Sequence, residues 1–558
     1  MSHLLRALPL IGLVAAAPAW PAGGVPSAPP GASGPAIADY LRARLAAASG
    51  DHGAALEALR RALLHDPQSP QLHLSYAEEL ARAGEVPAAE AEARRALQLA
   101  PTGPAAADAH LALGRILAQA RRPADAAREL SEAAQIEGAL ARAQPPSSRE
   151  LDPEPWRELA RLRLQMGDEP GAAQACGGLA ALDPAEGAAG YRELAGKLAD
   201  ARDLEGARRN LDRAGKLAPG DPETLKLLAR VEEASGRDAE ARAAWERALA
   251  EDPDDPDALL AVGQLALRKG DLAGARVWLR QLVRAANDEA TVRAQVAALW
   301  LEARQPADAL DAISAAGDDP RLVFLRGLAL QQLRRWPEAA SAFAEVPSSA
   351  GELYASARAA LGYALGRAGR QAEAVRAVKR GLAAQPQDPT LLYALGEAYD
   401  RAGQRDAALA QMRRVLEVKP DHAEALNFLG YAYAERGERL DEAQAYVERA
   451  LKVEPENGFY LDSLGWVLFK KGDLPGAVTT LEKADKLAGP EPTILDHLGD
   501  AYRRAQRPAD AARAWKRGLA APDPGGDDER ALATRRAAME RKLREVGPAE
   551  ARAAQTRR

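Results

Sequence analysis

A chain of 558 residues with 28% charged side chains and a formal net charge of −6 lacks the basic footprint that nucleic-acid binding needs. Aromatics are only 4% of it, while alanine, leucine, arginine and glutamate dominate, so helix formers abound and strand formers are scarce. The single cysteine, Cys176, cannot close an internal disulfide, and the compartment must be read from other signals.

The N-terminus supplies one. Met1 to Arg6 carries one positive charge, and Ala7 to Ala17 is an apolar run too short to span a bilayer as a helix. Ala17-Pro18-Ala19 then sets small residues at the spacing a signal peptidase reads. Residues 1–19 are therefore expected to be a secretory signal peptide, leaving the mature chain periplasmic or secreted. No cysteine follows the run, so there is no lipobox and no lipid anchor is expected there. Residues 20–35, rich in Pro, Gly and Ser, read as a flexible linker.

From residue 36 a helical hairpin recurs, and its clearest copy is Ala425 to Pro455. Leu426, Leu429, Tyr433, Ala443, Val447 and Ala450 recur at three- and four-residue steps, which makes one apolar face per helix. Gly437 is placed to end the first helix and Pro455 to close the second, while Gly430 and Ala443 are small enough for two backbones to approach. A hairpin of this size cannot bury its own apolar faces and needs neighbours on both sides.

Residues 36–137 hold three such units, with Gly50 and Pro67, then Gly84 and Pro101, then Gly114, Ala126 and Ala133 at the expected places. Residues 138–151, with Pro145-Pro146-Ser147-Ser148, break the rhythm as either a helix extension or a loop. Residues 152–350 resume it at Trp156, with stops at Pro184, Pro219 and Pro253. Cys176 falls where other units carry Leu211, Trp245, Leu279 or Met412, which predicts a buried small hydrophobe rather than a reactive thiol. Around Trp300 and Ala309, and again around Gly327, Ala339 and Phe343, the pattern is partly degenerate and the second helix is expected to be short. Residues 351–522 are regular again, through Gly362, Gly396, Gly430, Gly465 and Gly499. Residues 523–558 open on a turn-rich break, continue as a basic helix from Arg530 to Val546 that suits a terminal cap, and end in a basic tail.

The spacing and residues resemble the tetratricopeptide repeat (TPR) family, as in the copy Leu392, Leu395, Gly396, Tyr399, Ala408, Met412 and Pro420. About 14 copies cover Ala36 to Pro522. The resemblance implies an all-α fold: an α-solenoid of TPR hairpins wound as a right-handed superhelix, with first helices lining a concave groove and a C-terminal capping helix. A narrower resemblance lies in the Tyr40 to Leu45 opening and in the copies ALNFLGYAYAERGERLDEA and LDSLGWVLFKKGDLPGA. These look like the long envelope TPR proteins of proteobacteria. Some of those, the LbcA-like group, are adaptors that bring substrates to a carboxyl-terminal processing protease. Those adaptors are typically lipoproteins, and the missing lipobox is a departure from them.

No arrangement suited to catalysis stands out. The seven histidines are scattered without metal-ligand spacing, and neither a phosphate-cradling Gly-rich loop nor a GxSxG elbow is present. The chain is expected to be no enzyme and to need no cofactor or metal. Carboxylates alternate with arginines, as in Glu448-Arg449, and read as solvated helix faces.

Counting from each small residue of the TPR pattern places a candidate partner-binding groove: Tyr393 and Glu397; Asn427 and Tyr431; Asp462, Trp466, Phe469 and Lys470; Asp496, Asp500 and Arg503. Aromatics mixed with polar groups suit an extended peptide or a partner's helix. Equally, Tyr431 and Trp466 could simply pack on the neighbouring first helix. The clamp by which some TPR proteins grip a terminal carboxylate has no counterpart, because Asn427, Asp462 and Asp496 stand at its positions. The expected function is a non-enzymatic protein-binding scaffold in the envelope, in its sharpest form a protease adaptor. The alternative is an assembly factor for a secretion, pilus or polysaccharide-export machine.

Overall fold

A computed structural model describes residues 32–143, 152–287, 289–314, 317, 319–522 and 529–546. The expected signal peptide, most of the linker, the insert beyond residue 143 and the basic tail beyond residue 546 lie outside the described residues. Among the described residues there are 29 α-helices and no strand.

In chain order they alternate as first and second helices of successive repeats. The first six are α1 (Gly34–Ala48), α2 (His52–His65), α3 (Pro70–Arg82), α4 (Val86–Leu99), α5 (Pro104–Gln119) and α6 (Pro123–Ala143). Then come α7 (Glu154–Gln165), α8 (Glu169–Leu182), α9 (Pro184–Asp200), α10 (Leu204–Leu217), α11 (Pro222–Ala234), α12 (Asp238–Glu251), α13 (Pro256–Arg268) and α14 (Leu272–Ala285). The irregular stretch holds α15 (Ala290–Glu302), α16 (Pro306–Ala312), α17 (Pro320–Gln332) and α18 (Trp336–Glu345). The regular end holds α19 (Glu352–Arg367), α20 (Gln371–Ala384), α21 (Pro389–Arg401), α22 (Arg405–Val418), α23 (Ala423–Arg436) and α24 (Leu440–Val453). It closes with α25 (Gly458–Lys471), α26 (Leu474–Ala488), α27 (Pro492–Arg504), α28 (Pro508–Ala520) and α29 (Glu529–Glu545). Helices α1 to α28 thus make fourteen repeats, and α29 caps the last of them. No described helix is long and apolar enough to cross a membrane.

The chain divides into two compact units, Met1–Leu265 and Ala266–Arg558. In the first, α6 runs on past Gly138 to Ala143, so this part of the insert extends the third repeat's second helix. Cys176 is buried on α8 among Ala172, Leu194 and Leu211.

In the second unit the hairpin α23–α24 shows why the pattern works. Gly437 adopts φ +67°, a left-handed turn that ends α23 where a side chain would be strained. A Cβ on Gly430 would come within 2.4 Å of a Val447 methyl and 2.8 Å of the Ala443 carbonyl. The two helices touch backbone to side chain at that point, and Ala443 and Val447 are fully buried. The same approach recurs at Gly499, where a Cβ would meet the Trp515 indole at 2.2 Å.

The expected short second helices are there. Helix α16 has seven residues and α18 ten, against fourteen in α20, α22 and α24. A helix that stops early leaves its last carbonyls without partners, and burial makes that costly. Each stop is answered by a buried arginine. Arg293 of α15 donates to the Ala312 carbonyl at 2.6 Å. Arg358 of α19 donates to the carbonyls of Phe343, Ala344 and Val346 at 2.5, 3.0 and 3.1 Å. Arg358 is 6% exposed, its guanidinium lies 4.7 Å from the Tyr354 ring centroid, and burial pulls its pKa down.

Successive repeats are also strutted on their surfaces by ion pairs at a recurring separation. Arg161–Glu193 and Arg237–Glu205 in the first unit, and Arg276–Asp308 and Arg517–Asp485 in the second, all join residues 32 apart. Exposed pairs of this kind contribute about 0–1 kcal/mol each and act as guides to register more than as sources of stability.

Candidate functional site: the first-helix face of the second unit

Side-chain acceptors at the helix starts position this face. Asp388 accepts from the Leu391 amide at 2.8 Å, Asn457 from Phe459 and Tyr460 at 3.0 and 3.2 Å, and Glu491 from Ile494 at 2.8 Å. His422 does the same through Nδ1, accepting from the Ala425 amide at 3.4 Å. These caps fix where α21, α23, α25 and α27 begin, and so which residues turn toward the neighbouring first helix.

Asp462, Trp466 and Asp496 are 5%, 8% and 6% exposed, and each is engaged by a neighbour. Both Asp462 oxygens lie 3.0 and 3.1 Å from Nδ1 of His497, itself 3% exposed. The Trp466 indole is sandwiched: His497 lies 4.1 Å away at 14° on one side and Phe469 4.8 Å away at 8°. Its Nε1 donates to Glu435 at 2.5 Å, and the Lys470 ammonium sits 5.0 Å from its ring. The Phe469 ring in turn faces the Arg504 guanidinium at 5.1 Å. Substituting Asp462 or Trp466 would therefore test folding before it tested binding.

The α29 end of the face is occupied by the chain itself. Lys542 donates to Asp496 Oδ1 and to Asp500 Oδ2, both at 2.7 Å, and Arg503 donates to Glu545 at 2.8 Å. Arg535 approaches Asp496 to 3.8 Å and hydrogen-bonds Tyr431. Leu532 and Met539 of α29 and Val546 just past its end are buried. Burial pushes the Asp500 carboxyl up despite Lys542, with Asp496 adding like-charge repulsion.

Farther along, at α21 and α23, the face is less occupied. Tyr393 is half-buried and stacks on His422 at 5.2 Å and 19°. Glu397 is half-buried, and burial first, then the nearby Asp400 and Glu424, push its carboxyl up against the pull of Arg401. The Asn427 amide oxygen is buried and accepts no hydrogen bond. Tyr431 is half-buried with its ring 6.2 Å from His497, and its phenol is held above the usual range by burial and then by Glu435 and Asp462.

The structure thus gathers Tyr431, Asp462, Trp466, Phe469 and Lys470 around His497, ties Asp496, Asp500 and Arg503 to α29, and leaves Tyr393, Glu397 and Asn427 at the α21–α23 step. Sequence reasoning missed His497, Glu435, Arg535 and Lys542. His497 carried one signal, its separation of 35 residues from Asp462, about one repeat. The basic composition of α29 could have been set against the acidic pair on α27.

Two cavities lie elsewhere. One of about 290 Å³ opens in the second unit where α16 stops short, floored by Leu279, Val296 and Trp300 and rimmed by Arg276, Arg280 and Arg284. Two of these arginines are paired with Asp308 and Asp311. The other, about 160 Å³, lies among α7, α8 and α9 over Cys176. Among the described residues no group of three or more His, Cys, Asp or Glu is placed to hold a metal ion.

Comparison with known proteins follows the same repeats. The tetratricopeptide repeat profile matches residues 40–104, 80–148, 226–290, 324–389, 393–438 and 436–492, more than half of the chain. No curated protein matches the chain as a whole or in part. Among solved structures, the APC/C hetero-tetramer Cut9–Hcn1 is similar at 12% identity, over 92% of this chain and 96% of that one, with a TM-score of 0.39. MamA from Desulfovibrio magneticus RS-1 is similar at 22% identity, over 30% of this chain and 93% of that one, with a TM-score of 0.27. On the repeat profile and the hairpins that carry it, the chain belongs to the tetratricopeptide repeat family.

Proposed function

We propose that this chain is a non-enzymatic scaffold of the cell envelope that binds protein partners in the groove along its first helices and presents them to a carboxyl-terminal processing protease. One observation carries the binding reading. At α21 and α23 the half-buried rings of Tyr393 and Tyr431 and the half-buried Glu397 carboxylate stand on the first-helix face, whereas Asp462, Asp496 and Asp500 farther on are engaged by His497 and Lys542. An interaction framework of stacked hairpins concentrates recognition in such side chains. The envelope location is supported by the charged start, apolar run and Ala17-Pro18-Ala19 of the N-terminus. The adaptor role is supported by likeness to the long envelope TPR proteins in the copies from Ala423 onward.

The test is photo-crosslinking in cells from a benzoylphenylalanine placed at Tyr393 or Tyr431, followed by mass spectrometry of fractionated envelope. The adaptor reading expects a processing protease or its substrates among the products, and faster substrate turnover when this chain is present. Crosslinks to subunits of a secretion or polysaccharide machine without change in proteolysis would favour an assembly factor. No crosslink above that from an outward position such as Arg414 would refute groove binding.

A further inference from the structure

Helix α29 does more than close the last repeat. A terminal cap needs an apolar inner face and a polar outer one, and Met539 supplies the first by packing with the fully buried Trp515. The same helix also aims two cations inward. The Lys542 ammonium is held 2.7 Å from Asp496 Oδ1 and 2.7 Å from Asp500 Oδ2, with the Trp515 ring centroid at 5.9 Å. Arg535 approaches the other Asp496 oxygen to 3.8 Å and hydrogen-bonds Tyr431 of α23, two repeats before α27.

These inward residues keep one period. Leu532, Met539 and Val546 stand seven apart, as do Arg535 and Lys542, and each cation follows an apolar residue by three. Seven residues are close to two helical turns, so both rows run along one face of the helix. The groove answers that face. Asp496 is buried and Asp500 half-buried, and carboxylates so placed are costly without a cation opposite. Buried ion contacts of this kind add little net stability, whereas they fix register and discriminate between partners. Within one chain, a patterned helix is thus recognised by a groove of matching charge.

We infer that the first-helix groove from α23 to α27 is a receptor for a basic helix carrying an apolar residue every seven positions and a lysine or arginine three residues later, and that α29 is its resident occupant, displaced by a partner helix of the same pattern. The identity of the partner rests on the scaffold reading and gives it a chemistry, while the seat and its occupant do not depend on it. With Lys542 and Arg535 in place the groove is closed to other chains. Helix α29 is then an internal competitor, which yields to a segment able to repeat its contacts.

The experiment uses the full chain, as the parent and as the double variant Arg535→Glu with Lys542→Glu. The variant sets carboxylates against Asp496 and Asp500 to drive α29 off, and leaves the receptor side chains unchanged. The probe is a fluorescein-labelled peptide of residues 529–546, read by anisotropy, and the control is the same peptide with both reversals. The variant is expected to bind the native peptide at least about tenfold tighter than the parent does and at least about tenfold tighter than the control, both margins narrowing as salt is raised. Hydrogen exchange on the unaltered chain gives a second reading. Amides of α29 should exchange at least about tenfold faster than those of α27, because the helix leaves its seat while the hairpin stays folded. Equal binding by parent and variant, equal binding of the two peptides, no binding of the native peptide, or exchange of α29 in step with α27 overturns the inference and makes α29 a fixed cap. If the variant loses its helical dichroism, the exchange result decides alone. The peptide comes from this chain, so these outcomes leave the scaffold reading untouched; that reading stands or falls on crosslinking from Tyr393 and Tyr431 in cells.

Discussion

His497 on α27 reaches back across one repeat to Asp462 on α25, its Nδ1 3.0 and 3.1 Å from the two carboxylate oxygens, while its ring lies flat on Trp466. Both members of this pair are more than nine-tenths buried, so neither can trade its partner for water. Removing one partner of a buried pair costs about 3–5 kcal/mol, because the other is left desolvated and alone. Asp462→Ala and His497→Ala are each expected to lower stability by about that amount. The double variant should lose less than the sum, a coupling that denaturant melts in a double-mutant cycle would measure.

Two glycines in helices should respond oppositely to alanine. At Gly430 the added methyl would run into Val447 and the Ala443 carbonyl, at 2.4 and 2.8 Å, and the hairpin must spread to admit it. Gly430→Ala is expected to cost about 1–3 kcal/mol as overpacking. At Gly215, inside α10, nothing lies within 4 Å of the new atom. Gly215→Ala is expected to gain about 0.5–1 kcal/mol, since alanine loses less backbone freedom in a helix. Urea midpoints of the two variants check the pair.

Arg358 closes three carbonyls at the end of α18 with one guanidinium. Arg358→Met keeps much of the stem but strands those acceptors, each costing about 1–3 kcal/mol if left dry. The expected loss is of that order after water enters. Hydrogen exchange should rise first in α18 and at the start of α19, which are the elements the side chain joins.

Glu397 gives a pH prediction. Its folded-state pKa is raised, with burial as the largest cause, so the folded protein holds that proton more tightly than the unfolded chain. Its contribution to stability is fully present below the ordinary glutamate range and is lost as pH rises through the raised value. Glu397→Gln, which keeps a neutral side chain at every pH, should therefore melt higher than the parent near pH 7. The advantage should shrink on acidification toward the ordinary carboxylate range. Calorimetry across pH 4 to 7, on the order of three units, reads the difference.

Cys176 is 1% exposed, and burial pushes its thiol up to about 12. At pH near 8 almost none is thiolate, the form that reacts. Thiol reagents should label it slowly in the native protein and rapidly once denaturant opens α8. Rapid native labelling would mean that the cavity over α7, α8 and α9 opens spontaneously.

The architecture could be read in the sequence because each hairpin writes its own punctuation. Gly437 ends a helix, Pro455 follows one, and Gly430 with Ala443 marks where two helices meet. Even the short second helices were signalled, by displaced prolines near α16 and α18. Their remedy was not, because Arg293 and Arg358 look in sequence like any surface arginine and only the fold shows what carbonyl they reach. The first-helix face divides in the same way. Its positions follow from counting, but whether Asp462 or Asn427 is satisfied depends on what the next helix offers. His497 sits 35 residues beyond Asp462, and Lys542 is 46 beyond Asp496, so no local pattern announces either.

Surface struts between successive repeats, four of them spanning 32 residues, and the recurring apolar faces make length a quantised property of this chain. Removing or duplicating one whole hairpin brings each apolar face back onto an apolar face. Removing one residue from within a helix turns the rest of that helix by about 100°, which sends its buried stripe toward water. Such a chain can change its reach only in whole-repeat steps, and each step carries its own alignment marks.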